Sequence, residues 1–168
     1  MRITSIGQNL WRGTLATAVL LAAACGGGGG AVSTSPSTAT SGSSMHHAAL
    51  GVQNSRFGQI LVDGQGRALY LFAADKTTDS TCYDACATAW PPMLVDKGAT
   101  IDATTGVSAS LEGTTTRKDG TIQATYNGHP LYYYEGDKKA GEIKCQAVVN
   151  FGAAWYVIDP SGNAITKS

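Results

Sequence analysis

Apolar and polar residues alternate with the period of a β-strand over much of the second half of the chain. In residues 121–126 the apolar side chains of Ile122, Ala124 and Tyr126 alternate with Thr and Gln, as is typical of a half-exposed strand. Asn127 and Gly128 follow at once and form the strongest short signal for a hairpin turn. The pattern therefore predicts a β-hairpin at this position.

An earlier stretch has the same character. Two apolar runs, 57–62 and 67–72, flank an Asp/Gly-rich turn at 63–66 and predict a second hairpin. Both faces of the second run are apolar, with Tyr70 on one face and Leu71 on the other. A strand with two apolar faces is covered on both sides, so we expect this one to be buried.

The remaining segments are shorter. Residues 79–89 lack strand alternation and predict one or two helical turns, capped by Ser80 or Thr81. Further strands are predicted at 153–158 and 163–166. The chain is thus expected to form about seven short strands and one short helical insert.

One motif occurs twice. Residues 69–75 and 131–137 share the spacing Leu-Tyr-x-aromatic-x-x-Asp, and Trp90 and Trp155 follow the two copies. A motif that recurs with its downstream tryptophan indicates a repeated structural unit. The predicted fold is therefore mainly β, a single small domain of two divergent repeats of antiparallel hairpins with one short helical insert.

The N-terminus has the features of an export signal. Arg2 and Arg12 form a basic region, and the uncharged, mostly apolar run 14–24 is too short for a bilayer, which needs about 20 apolar residues. The run ends in Leu-Ala-Ala-Ala-Cys25, which resembles the lipobox of bacterial lipoproteins, although Ala22 stands where that motif usually has Leu. The resemblance implies a signal peptide at 1–24 and lipid attachment at Cys25.

A tether is predicted between the anchor and the domain. Residues 25–55 begin with the lipidated Cys and are rich in Gly, Ser and Thr, which cannot form a core. Twenty such residues reach roughly 25 Å. The β-rich domain is then expected at 56–168. By resemblance to proteobacterial lipoproteins, Gly26 implies transport to the periplasmic face of the outer membrane.

Charge excludes one class of partner. The chain has 12 basic and 12 acidic residues and no basic stripe. Nucleic-acid binding depends on clustered Lys and Arg that neutralise phosphates, so we expect none. The expected partners are the membrane, through the lipid anchor, and an envelope protein or small molecule whose identity the sequence does not reveal.

With these features assembled, the chain resembles a bacterial lipoprotein family described as a secreted repeat of unknown function. The resemblance covers roughly residues 58–162 and implies export but no particular reaction. The positions that carry it are Tyr70, Phe72 and Asp75 in the first repeat, Tyr132, Tyr134 and Asp137 in the second, and Cys82, Cys86 and Trp90-Pro91-Pro92.

Three cysteines remain after Cys25. An exported protein meets an oxidising compartment, where thiols pair. Because Cys82 and Cys86 belong to the family motif, the resemblance implies a disulfide between them, closing a small loop worth about 2 kcal/mol. The alternatives are a disulfide from Cys145 to either of them, which would join the two repeats, and the absence of any disulfide.

The same residues admit a redox or copper site. Cys-x-x-x-Cys also occurs in periplasmic copper chaperones, and soft thiolates with thioether or imidazole ligands suit Cu(I). The candidate ligands are Cys82, Cys86, Met93 and His129. This alternative predicts a periplasmic copper-handling or electron-transfer accessory protein.

The repeated aromatic and acidic residues also have two interpretations. The motif rings can fill a small core, or Trp90, Tyr132 and Trp155 can line a cleft for a quinone or haem. Asp75 and Asp137 can cap turn amides or act as an acid–base pair. No catalytic motif is found in the sequence. We therefore predict a non-enzymatic binding or interaction module without a cofactor.

Overall fold

The computed structural model describes residues 48–168, which contain short strands, one α-helix and one 3-10 helix. The predicted signal peptide, Cys25 and the tether up to residue 47 lie outside the described residues. No helix within residues 48–168 has the length and apolar character that a membrane span requires.

The helices are α1 (Ala85–Ala89) and the 3-10 helix Ala109–Leu111. The strands are β1 (Ala48–Ser55), β2 (Gly58–Asp63), β3 (Tyr70–Phe72), β4 (Leu94–Val95), β5 (Ile101–Ala103), β6 (Glu112–Thr116), β7 (Ile122–Tyr126), β8 (His129–Pro130), β9 (Val148–Asn150) and β10 (Ala153–Val157).

These strands form three small sheets. The first has the order β2-β1-β5, the second β3-β10-β9 and the third β4-β7-β6, with β8 also pairing with β7. All pairs are antiparallel except β1 with β5. The predicted class, a mainly β single domain with one short helical insert, is confirmed.

The predicted boundary between tether and domain at residue 56 is wrong. Residues 48–55 form β1, which pairs with β2 over six positions and leaves Leu50 fully buried. Small and polar residues such as Gly51 and Asn54 hide the strand pattern in the sequence. Pairing on both sides, with β2 and β5, supplies the order that local composition does not predict.

The predicted hairpin at 57–72 forms only in part. Its first strand, β2, pairs with β1, and it meets the second run through a single bridge between Val62 and Ala68. The partner of β3 is instead β10, from the far end of the chain. Burial of β3 on both faces is confirmed, because Tyr70, Leu71 and Phe72 are all buried.

Other local predictions hold more closely. Asn127 and Gly128, with φ of 49° and 77°, join β7 to β8 as predicted, and the strand predicted at 153–158 is β10. The helical insert is α1, but its N-cap residue is Asp84 rather than Ser80 or Thr81. The 163–166 segment makes one bridge, from Ala164 to Ile158, instead of a strand.

The core has two parts, which lie on the two faces of β3. Tyr70 and Phe72 belong to an aromatic cluster, whereas Leu69 and Leu71 belong to an aliphatic cluster. The strand therefore separates the two halves of the core. The aromatic cluster also contains Cys82, Cys86, Trp90, Tyr132, Ile143, Trp155 and Val157. The aliphatic cluster also contains Leu50, Leu61, Met93, Val95, Ala124, Tyr126, Leu131 and Ile158.

Candidate functional site

The two copies of the repeated motif meet at their first tyrosines. The backbone N–H of Tyr70 donates to the carbonyl of Tyr132 at 2.8 Å, and the N–H of Tyr132 donates to the carbonyl of Tyr70 at 2.9 Å. This pairing is an isolated antiparallel bridge. The two repeats are therefore joined at equivalent positions, which gives the junction local two-fold character.

The tyrosine side chains then cross between the repeats. The Tyr70 hydroxyl donates to Asp137 Oδ2 at 2.6 Å, and the Tyr132 hydroxyl donates to Asp75 Oδ2 at 2.7 Å. Each motif tyrosine thus binds the motif aspartate of the other repeat. All four residues are buried. The spacing of the motif is explained by this exchange, which needs a ring and a carboxylate from each copy.

Each aspartate also fixes the loop that follows it. Asp75 Oδ1 accepts hydrogen bonds from the backbone N–H and the hydroxyl group of Thr81, and Asp137 Oδ1 accepts one from the N–H of Lys144. Capping of turn amides by the two aspartates is therefore observed. Their carboxylates bind separate tyrosines and separate turns, so the contacts do not assemble the pair that acid–base catalysis would use.

Burial controls the ionisation of this junction. It raises the pKa of the Tyr70 hydroxyl, and the hydrogen bond to Asp137 raises it further. Burial also raises the pKa of Tyr132, reinforced by Asp75 and opposed by Ser80. The pKa of the Asp137 carboxyl is raised by burial, against the lowering effect of the Tyr70 hydrogen bond. The tyrosines are therefore held in their neutral, hydrogen-bond-donating form.

Four aromatic rings form a continuous stack beside the junction. Phe72 lies on Trp155 with 4.1 Å between ring centroids, and Trp155 lies on Trp90 with 4.0 Å and an interplanar angle of 4°. Tyr134 continues the stack in a tilted arrangement, with 4.7 Å between its ring centroid and that of Trp90 and 42° between the two planes. The stack runs from the buried Phe72 to the half-buried Tyr134, so it links the core to the surface.

The aromatic rings fill the space in which a cleft would hold a ligand. Trp90, Tyr132 and Trp155, the candidate ligand-lining residues, are fully buried, and Trp155 contacts both of the others. Tyr70 and Tyr132 meet the two indole rings edge-on, which is a favourable geometry for aromatic pairs. The contacts correspond to the core interpretation rather than the cleft interpretation.

The disulfide implied by the resemblance is confirmed. Cys82 and Cys86 are bonded, with 5.2 Å between their Cα atoms, and both are buried in the aromatic cluster. Cys145 is a free, half-buried thiol, so the alternative pairings with Cys145 are wrong. The backbone N–H of Trp90 donates to the carbonyl of Cys86, which places Trp90 directly after the bridged turn.

A buried cation supports the disulfide turn from the second half of the chain. The Arg117 guanidinium donates to the Cys82 carbonyl at 2.8 Å, to Ser80 Oγ at 2.8 Å and to Gln123 Oε1 at 2.6 Å. Its plane also covers the Tyr83 ring at 4.5 Å. Sequence reasoning missed this residue, because a Thr-Arg-Lys-Asp-Gly segment has the composition of an exposed turn.

The cation and a carboxylate are connected through hydroxyl groups. Arg117 donates to Ser80, the Ser80 hydroxyl lies 2.7 Å from the Tyr132 hydroxyl, and Tyr132 donates to Asp75. The contact with Ser80 lowers the pKa of Tyr132. Hydrogen bonds joined in this way strengthen one another in a buried network, and the buried charges compensate each other.

The free thiol lies at the outer end of the ring stack. Cys145 packs against the aromatic cluster, and its hydrogen bond with the Tyr134 hydroxyl raises the pKa of that hydroxyl group. The structure does not assemble the candidate copper ligands into one site. Met93 is buried in the aliphatic cluster, and His129 lines a surface cavity of about 350 Å³ with Phe72, Asp75 and Lys76 among its walls. Both remaining sulfur ligands, Cys82 and Cys86, are joined in the disulfide.

The comparisons with known proteins agree with the internal repeat. The family model described as a secreted repeat of unknown function matches residues 51–93 and 113–159, more than half of the chain. The first match contains Tyr70, Asp75 and the disulfide, and the second contains Tyr132 and Asp137. No curated protein and no solved structure matches the chain. The described family is secreted, the repeat occurs twice, and this chain belongs to that family of secreted repeats of unknown function.

Proposed function

We propose that the protein is a lipid-anchored module of the cell envelope that binds a partner and catalyses no reaction. Its lipid is carried by Cys25, and the β-rich domain is displayed from the membrane, the periplasmic face of the outer membrane in a Gram-negative host. Export agrees with the description of the family as secreted. The lipobox-like sequence before Cys25 supports the anchor.

The reciprocal tyrosine–aspartate exchange carries the argument for a non-enzymatic module. Catalytic acids and bases need contact with a substrate. Here the motif hydroxyl and carboxylate groups bind one another inside the core. The repeated residues thus hold the domain together, and recognition is left to its surface.

The anchor is tested by metabolic labelling. Cells that express the full chain are grown with radiolabelled palmitate, and the protein is recovered from the membrane fraction. We expect label in the wild-type protein and none in Cys25→Ser. Equal labelling of the two proteins would overturn the anchor at this residue.

A thiol redox protein is the second candidate, favoured by the position of the disulfide in the aromatic cluster that also contains Trp90. Two electrons and two protons, from a thiol reductant, would convert Cys82–Cys86 into two thiols. Copper handling would need those same sulfurs in the reduced state. Anaerobic thiol titration with metal analysis separates the candidates: one stable disulfide and no bound copper supports the binding module, and stoichiometric copper on Cys82 and Cys86 supports the alternative.

A further inference from the structure

The end of the β9–β10 hairpin exposes large apolar side chains. Val149 is 73% exposed, Phe151 45% and Val148 37%. Phe151 occupies the turn, and the two valines lie on the strand that leads into it. The rest of the hairpin is anchored firmly, because Trp155 and Val157 of β10 are fully buried. A rigid base thus presents an apolar end to the solvent.

The exposed residues are found on both faces of the hairpin. Successive side chains of a strand point to opposite sides, so Val148 and Val149 face opposite directions, and both are exposed. A protein partner that docks on a sheet covers one face. An apolar medium that surrounds the hairpin end covers both.

This end of the hairpin has no charge. No residue between Lys144 and Asp159 is acidic or basic. β9 is also the edge strand of its sheet. Sheet edges in water-soluble proteins are usually protected by Lys, Pro or inward-pointing charges. The edge Val148-Val149-Asn150 has none of these, so its surface suits an apolar environment.

The turn keeps an aromatic ring at a conformational cost. Phe151 and Gly152 have φ of 53° and 88°, the left-handed region that a two-residue turn requires at both positions and that bulky residues avoid. The equivalent turn between β7 and β8 has the favoured pair Asn127-Gly128, with φ of 49° and 77°. Strained residues that persist in a fold point to function.

We propose that the end of the β9–β10 hairpin, Val148 to Phe151, inserts into the interfacial layer of the bilayer. The proposal deepens the proposed function, because it rests on the lipid anchor at Cys25. The described domain begins at Ala48, which leaves 22 residues between it and the anchor. The sequence predicts a reach of roughly 25 Å for a flexible tether of about that length.

The tether allows a surface with weak affinity for the bilayer to stay bound to it. A ligand joined by a short flexible linker meets its site at millimolar effective concentration. Two valines and a phenylalanine alone bind a bilayer weakly, yet at that concentration they favour a docked domain. A three-residue edge is short for the addition of a partner strand, which is a further reason to prefer lipid.

The experiment places a fluorescent reporter at the turn. Full-length protein with Phe151→Trp is reconstituted in vesicles of phosphatidylcholine with a minority of phosphatidylglycerol, and the emission of the unsubstituted protein is subtracted. We expect a blue shift and quenching by lipids brominated along their acyl chains. An anchored protein whose added emission is neither shifted nor quenched would overturn the proposal and leave the anchor intact.

Matched variants separate the hairpin from general surface hydrophobicity. These variants are made in the Cys25→Ser protein, which lacks the sulfur that carries the lipid. We expect the double variant V149N/F151N to bind vesicles about tenfold more weakly than the Cys25→Ser protein itself. Leu94→Asn removes a side chain that is also exposed, 46%, but lies on β4, so it should change binding little. Equal loss in the two variants would refute the hairpin as the membrane contact.

Stability and binding are expected to change in opposite directions in one variant. Phe151→Asn places the favoured residue in the left-handed turn, so its melting temperature should equal or exceed that of the parent while vesicle binding falls. Unfolding of the variant cannot then explain the loss. Vesicle binding that is unchanged by F151N and V149N, together with binding of the hairpin to an envelope protein, would assign the hairpin to a protein partner and overturn the proposal.

Discussion

Tyr70 and Tyr132 pair through their backbones in both directions, and each hydroxyl group reaches across to the aspartate of the other's repeat. The two motif copies are therefore interdependent. A single repeat would leave a buried carboxylate without its donor and a tyrosine without its acceptor. This exchange explains why the motif occurs twice in one small domain.

Removal of one hydroxyl group tests the exchange. Tyr70→Phe leaves the buried Asp137 carboxylate without the hydroxyl donor, and hydrogen bonds to charged groups contribute about 1.5–3 kcal/mol. We expect the free energy of unfolding in urea to fall by that amount. Tyr156→Phe, on the half-exposed face of β10, is the matched control. Equal stability of the two variants would contradict the role of the hydrogen bond.

The buried tyrosines predict alkaline unfolding. Burial raises the pKa of Tyr70 and Tyr132, and it raises that of Tyr133 to about 12. Because the folded pKa lies above the unfolded value of about 10, this contribution to stability is complete below pH 10 and is lost as the pH rises towards the folded value. Circular dichroism and tyrosinate absorbance should change together in one cooperative step. Gradual ionisation with unchanged circular dichroism would argue against it.

The disulfide is expected to contribute modestly to stability. Cys82→Ser combined with Cys86→Ser removes a bridge that closes a very small loop, so the free energy of unfolding should fall by about 2 kcal/mol. Guanidinium denaturation of the oxidised protein, the reduced protein and the double variant measures it. The reduced protein and the double variant should agree; a loss confined to one of them would show that the cross-link is not the cause.

Arg117 is predicted to be the most sensitive charged residue of the domain. Arg117→Met leaves Ser80, Gln123 and the Cys82 carbonyl without their shared donor, and breaking a buried charged network costs about 3–5 kcal/mol. Thermal and urea unfolding measure the loss. Lys97→Met, at an exposed position, is the control and should remain near the wild type. A small effect of both substitutions would rule out the network as a structural support.

Two glycines separate backbone strain from steric contact. Gly162 and Gly120 have nearly equal φ, 84° and 83°, but a Cβ at Gly162 would lie 2.2 Å from the Cβ of Asn127, whereas nothing lies within 4 Å at Gly120. Both alanine variants should be less stable, because alanine disfavours positive φ. Gly162→Ala should lose clearly more, as measured by its melting temperature. Equal losses would place the whole effect in the backbone.

The sequence predicts correctly those features that depend on neighbouring residues alone. Asn127-Gly128 required no information beyond its own preference for the left-handed region, and the two apolar faces of β3 predicted its double burial. Alternation specifies faces but not partners. The pairing of β3 with β10, rather than with the adjacent β2, could not be read from the sequence for this reason. The structure of β1 was missed because its order comes from two partner strands.

The candidate site divides in the same way. The repeat spacing identified Tyr70, Asp75, Tyr132 and Asp137, and the family resemblance identified the disulfide. The spacing did not reveal that the hydroxyl groups are exchanged between repeats, nor that Arg117 is buried beneath the disulfide turn. Contacts between residues 35 or more positions apart depend on how the sheets are placed, and no local period records that placement.

The sequence by itself predicts the export signal. It also determined the β-rich class, the twofold repeat and the turns whose residues tolerate positive φ. These features follow from local composition and period. Only the tertiary structure decided that the repeated tyrosines and aspartates bind one another, and that Val149 and Phe151 are exposed on an uncharged hairpin. Burial is the reason for that division, because the partners that a side chain finds in the core are set by the whole fold.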